Sequence, residues 1–213
     1  MTSALLLLFL GAAHSAERGT WKEVSERDGI AVSQRAVPGT RLVEFRAEGL
    51  VDASLPRLAQ VMADTPRKVE WVPRLRSARL LQETALTDRV EYQRTRAPWP
   101  LRDRDFVFRA LVTMEAPAKR LRVSMRSIDF PAMPESADAV RGTVLGEMSL
   151  TWEAPARTRV IMEFQVDPRG AIPAWVINIF QKQWPRAMIE GMRRQAGKAD
   201  VGDHPAAKAL MAF

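Results

Sequence analysis

The stretch that decides the fold is WPLRDRDFVF, Trp99 to Phe108. It places an aromatic residue in a proline-bounded turn, then a charged strand entrance, then an apolar run that continues through Ala110 to Met114. Downstream, DFPAMP (Asp129 to Pro134) interrupts another strand with a loop more apolar than ordinary surface, and DPRGAIPAW (Asp167 to Trp175) leads into the last long helical pattern. Between these landmarks, β-branched and aromatic runs alternate with turn residues: SARLLQE, RVEYQRT, DFVFRALVTM, RLRVSMRSI, AVRGTVLGEMSLTWEA and RTRVIMEFQVD. Short strands at such spacing predict an antiparallel meander, and one of this length must bend.

Working outward, DGI at Asp28 gives a turn into the strand IAVSQR, and RLVEFRAEGL after Pro38-Gly39 completes a hairpin. Trp21 to Glu26 is ambiguous. VDASLPRLAQVMAD changes to helical period, with Asp52 or Ser54 as cap and Leu55, Leu58, Val61 and Met62 on one face. A short helical piece from Arg67 to Trp71 stops at Pro73. At the other end Trp175, Val176, Ile179, Phe180, Met188, Ile189 and Met192 recur at helical spacing, and Pro185 inside that run predicts a kink. The layout is α+β: a curved antiparallel sheet gripping a long C-terminal helix, with a concave face that is either filled or left as a chamber. Seven methionines from Met114 to Met192 fall on the meander, its loop and the helix, and unbranched thioethers suit a chamber of adaptable shape as well as a core.

Composition excludes several chemistries. There is no cysteine, hence no disulfide, no thiolate nucleophile and no Cys-ligated metal. The two histidines, His14 and His204, lie in the leader and in the C-terminal tail, so a Ser-His-Asp triad or His-ligated metal is not expected inside the domain. No cofactor is expected. Residues 1–16, MTSALLLLFLGAAHSA, carry no Lys, Arg, Asp or Glu, and read as a secretory signal cleaved near Ser15 or Ala16. An exported, periplasmic or secreted protein follows, with one domain over residues 17–199 and a tail over 200–213. The net charge of +7 is spread along the chain rather than gathered into a run. It reads as solvated surface with a weak attraction to anionic headgroups, with no nucleic-acid motif beside it. A monomer is expected.

With this layout reached, the chain resembles the START lipid-transfer domain, of the Bet v 1-like helix-grip superfamily. The residues that carry the resemblance are Trp71, RDFV at Arg104 to Val107, the D-F-x-x-M-P loop at Asp129 to Pro134, Val140-Arg141, and D-P-x-G-x-I-P-x-W at Asp167 to Trp175. The resemblance spans about Trp21 to Ala196. It implies a non-catalytic binder of one hydrophobic ligand, a phospholipid, sterol or polyisoprenoid, held in a tunnel between sheet and C-terminal helix. The gate would be the loop Asp129 to Ala139 with the segment Ile172 to Ala196. Lys182, Arg186, Arg193 and Arg194 would then face anionic headgroups.

On this basis the ligand-binding candidates are Glu91, Trp99, Phe106, Phe108, Ala110, Met125, Met133, Met148, Trp175 and Ile179. The sterol-binding branch of the family pairs an acid at the position of Glu91 with an arginine at the position of Ala110. Here the acid stands without that cation, so either another arginine reaches it, with Arg104, Arg126 and Arg141 as candidates, or the ligand supplies a partner, because a buried carboxylate without a partner is strongly disfavoured. The alternative at this stage keeps Glu91 on the wet face with Tyr92 inward. A second function class is also open: helix-grip relatives include polyketide cyclases and aromatases, and Glu91 with Tyr92 would be the acid–base pair of such an enzyme. A third is an adaptor that binds a protein partner through an apolar surface.

Overall fold

The computed structural model describes residues 19–40, 42–172 and 174–210, with the backbone alone for 174–182 and 210. The expected leader, residues 1–16, lies outside the described residues. Ten strands form one sheet: β1 (Lys22–Arg27), β2 (Ile30–Ala36), β3 (Val43–Val51), β4 (Leu75–Ala85), β5 (Asp88–Thr95), β6 (Asp103–Glu115), β7 (Arg120–Ser127), β8 (Ala139–Arg141), β9 (Thr143–Ala154) and β10 (Arg157–Asp167). Their order is β1-β2-β3-β10-β9-β7-β6-β5-β4, with β8 lying parallel beside β6. The helices are α1 (Leu55–Ala63), α2 (Ala174–Ala196) and α3 (Pro205–Leu210), and a 3₁₀ turn spans Pro66–Glu70. None of the described helices is long and apolar enough to cross a membrane.

Local sequence explains the punctuation. Asp28 and Gly29 both have positive φ, as a two-residue primed turn requires, and they join β1 to β2. That pairing settles the ambiguous Trp21–Glu26 segment as mostly strand. Ser54 is the cap of α1, its hydroxyl accepting from the Arg57 N–H at 3.2 Å, while Asp52 turns outward to Arg157. The run Ala139–Ala154 divides at Gly142, and its first piece makes the sheet's parallel contact with β6. α2 continues through Pro185.

The packed core occupies one side of the concave face. Ile30, Val51, Leu55, Leu58, Ile189 and Met192, from β2, β3, α1 and α2, are each no more than 1 % exposed. Gly191 makes the fit of α2 possible: a Cβ there would stand 2.1 Å from the Trp71 carbonyl oxygen. The segment expected as a C-terminal tail carries α3. Val201 and Ala207 are buried, and α3 packs on α1.

Candidate functional site: a cavity under β5, β6 and β7

Where the core ends, a cavity of about 320 Å³ begins, inside the range usual for small-molecule sites. Its floor is the inward-facing set of a period-2 alternation: Phe106, Phe108, Ala110 and Val112 of β6, and Val123 and Met125 of β7. Phe164 of β10 and Met148 of β9 close one side; Met62 of α1 with Trp184 and Met188 of α2 form the roof.

Glu91 points into this apolar space and is 2 % exposed. Its cation is Lys68, from the 3₁₀ turn. The ammonium lies 2.7 Å from Oε1 and 2.6 Å from Oε2, the Thr65 hydroxyl donates to Oε1 at 3.0 Å, and Gln93 reaches Oε2 at 3.4 Å. The three arginines expected to do this are elsewhere. Arg104 lines the cavity but donates to the carbonyls of Arg102, Pro168 and Arg169, which fixes the chain just ahead of α2. Burial, with the charge of Arg102 added, holds its guanidinium below the ordinary arginine range. Arg126 is exposed on the other face of β7. Arg141 forks onto Asp105, itself 1 % exposed, and donates to the carbonyls of Met133 and Pro134.

That last contact locates the apolar DFPAMP loop. Phe130 and Met133 pack on Val90, Tyr92 and Val107, which face away from the cavity. Met133 is therefore not a cavity residue, and the loop from Asp129 covers the outer face of the sheet instead of gating the inner one. The same alternation separates Glu91 from Tyr92: neighbours on an extended strand point to opposite sides. Glu91 is inward, Tyr92 is outward beneath Met133, and the two do not form an acid–base pair. Trp99 is 91 % exposed on the β5–β6 connection and does not line the cavity. Glu91, Phe106, Phe108, Ala110, Met125 and Met148 do line it. The side chains of Trp175, Ile179 and Lys182 lie outside the described residues. Of the other cations assigned to headgroups, Arg186 pairs with Glu190, and Arg193 donates to the carbonyls of Leu50 and Asp28 as a structural tie; Arg194 is exposed.

Sequence reasoning missed Lys68. It sits between Arg67 and Glu70 in a stretch that reads as solvated, and only the demand of Glu91 for a cation pointed toward it. His204 was missed as well: placed in a tail by its position, it lines the cavity, and burial and the charge of Arg89 lower its pKa.

Comparison with known proteins fits this geometry. The START domain family model matches residues 7–196. The chain belongs to the START domain family. An uncharacterised protein of Pseudomonas aeruginosa is 25 % identical over 92 % of this chain and 96 % of its own. The phosphatidylcholine transfer protein of Rattus norvegicus is 25 % identical, covering 81 % of each chain. Among solved structures, a STAR-related lipid transfer protein fragment from Xanthomonas axonopodis superposes with a TM-score of 0.75 at 26 % identity, covering 84 % of this chain and 99 % of that one. The START helix-grip fold is thus common to this chain and that STAR-related lipid transfer protein.

Proposed function

We propose that this protein binds a single hydrophobic ligand, a phospholipid, sterol or polyisoprenoid, in the cavity under β5–β7 and carries it between membranes, α2 moving to admit it. The observation that carries this reading is a largely apolar chamber with the buried Glu91–Lys68 ion pair in its wall. Apolar lining excludes a hydrated solute, while Glu91 and Lys68 together present a carboxylate and an ammonium of zero net charge to a ligand's polar group. The indole N–H of Trp71, also in the wall, is buried with no acceptor among the described residues, a donor that a lipid carbonyl or hydroxyl would satisfy. Membership of a family with named lipid-transfer proteins supports the same class. Against the cyclase reading stands the separation of Glu91 from Tyr92 by the sheet itself.

Export belongs to the same proposal, on the strength of the uncharged apolar leader. Protein recovered from its host is expected to begin near Glu17 and to carry one lipid per chain in native mass spectrometry. Mixed with donor and acceptor vesicles, it is expected to accelerate lipid exchange at catalytic protein concentrations. Recovery of intact Met1 on a cytoplasmic protein would remove export, and turnover of a polyketide without bound lipid would replace the carrier reading.

A further inference from the structure

The family match stops at residue 196, yet the following segment is part of the cavity wall, through His204, Ala206 and Ala207. Strand register shows which end they occupy. The β5 residues that border the cavity run from Arg89 to Thr95, with Thr87 just before the strand, and the partners on β6 run from Ala110 to Arg104. Thr87 and Thr95 are separated by roughly 26 Å of extended chain at about 3.3 Å per residue. The Thr95 end lies beside Arg104, which holds Pro168 and Arg169 in the chain ahead of α2. α3 belongs to the Thr87 end: it packs on α1, Arg89 donates to the carbonyl of Ala63 at the end of α1, and the charge of Arg89 acts on His204.

This wall is fixed. Arg57 donates to the carbonyls of Lys198 and Val201, the His204 N–H donates to the Pro56 carbonyl at 2.9 Å, Arg67 pairs with Asp200, and Ala207 is 1 % exposed. The anchors all lie on α1 and the turn after it, so the segment is tied to the part of the molecule that forms the packed core. Nor does it offer a charged end to the chamber: Arg89 is already engaged by Glu83 and Ala63, and two of the three lining residues are alanines. Glu91 stands four residues along β5 from Thr87. Along the strand that is roughly 13 Å, with Arg89, whose charge acts on His204, lying between the two, so a ligand whose polar group meets the Glu91–Lys68 pair reaches this wall within that distance.

We infer that residues 198–210 form an end stop that sets the length of hydrocarbon chain the cavity accepts, with His204 and Ala206 at the stop. The inference rests on the lipid-binding reading above. The small side chain of Ala206 leaves room that a larger one would take, and the imidazole of His204 occupies room that an alanine would release.

The test presents the full chain to vesicles holding an equimolar ladder of saturated phosphatidylcholines that differ only in acyl length, followed by re-isolation and native mass spectrometry. The parent protein is expected to select a preferred length. Ala206→Phe is expected to shift the bound distribution to shorter chains, and His204→Ala to longer ones. Should Ala206→Phe fail to fold, His204→Ala decides alone. Bound lipid with the same length distribution in parent and variants, or no length preference in the parent, overturns the end stop and leaves lipid binding standing. No uptake from the ladder by the parent removes the lipid-binding reading for this ligand class, and the end stop with it.

Discussion

The two faces of the same strands handle charge in opposite ways. On the outer face, acids and arginines form a lattice: Arg46 bridges Glu48 and Glu163, Arg159 bridges Glu48 and Glu153, Arg122 bridges Glu115 and Glu147, and Arg109 pairs with Asp88. On the inner face, β5, β6 and β7 contribute one carboxylate to the cavity, and Lys68 neutralises it at contact distance. Solvent screens the first set, so each link contributes little; burial makes the second pair costly to break. Much of the arginine content thus lies on the outside of the sheet, while the two arginines of β5 and β6 that border the cavity, Arg89 and Arg104, are held by Glu83 and by backbone carbonyls, and charge counted along the chain says little about the cavity.

This contrast is open to measurement. Lys68→Met leaves Glu91 buried without its cation and is expected to lower unfolding stability by about 3–5 kcal/mol, with much of the loss recovered in the double variant Lys68→Met, Glu91→Met. Chemical denaturation of the three proteins gives the cycle; a single-variant loss under 1 kcal/mol would mean that water reaches Glu91. Arg141→Ala tests whether burial or the face itself governs the cost. Asp105 lies on the outer face yet is 1 % exposed under the Met133 loop, so a loss of about 3 kcal/mol is expected there too. Arg109→Ala, on the open lattice, is expected to cost about 0–1 kcal/mol and to become indistinguishable from the parent at high salt.

Period-2 runs are strongly legible, and so the strands and the inward set Phe106, Phe108 and Ala110 were readable from the sequence. Packing between elements distant in the chain was not. Nothing local to Lys68 announces that a 3₁₀ turn swings it over β5. Nothing local to DFPAMP says on which face of the sheet the loop lies, because its apolar residues suit a gate and an outer cover equally. Trp99 shows the same limit from the other side: a turn aromatic can pack or project, and here it projects. His204 was assigned by its nearness to the chain end, whereas its place in the wall comes from the backbone tie to Pro56 and the packing of α3 on α1.

The smallest expected effect concerns that histidine. Its folded-state pKa lies below its ordinary value of 6.5, so in the window between the two the unfolded chain binds more protons than the native one. Stability contributed by neutral His204 is present above 6.5, falls as pH drops through that window and levels off below it. Thermal unfolding of the parent and His204→Gln across this range is expected to show a slightly shallower pH dependence in the variant.

The central claim is that the inner face of β6 borders a chamber rather than a packed core, and Ala110→Trp tests it most directly. Ala110 is 7 % exposed, and its side chain faces the cavity. The account predicts that the tryptophan fills the chamber: lipid uptake from vesicles is abolished while thermal unfolding stays cooperative, with its midpoint close to that of the parent. Unchanged uptake together with a loss of about 1–3 kcal/mol, the usual cost of overpacking a filled core, would contradict it.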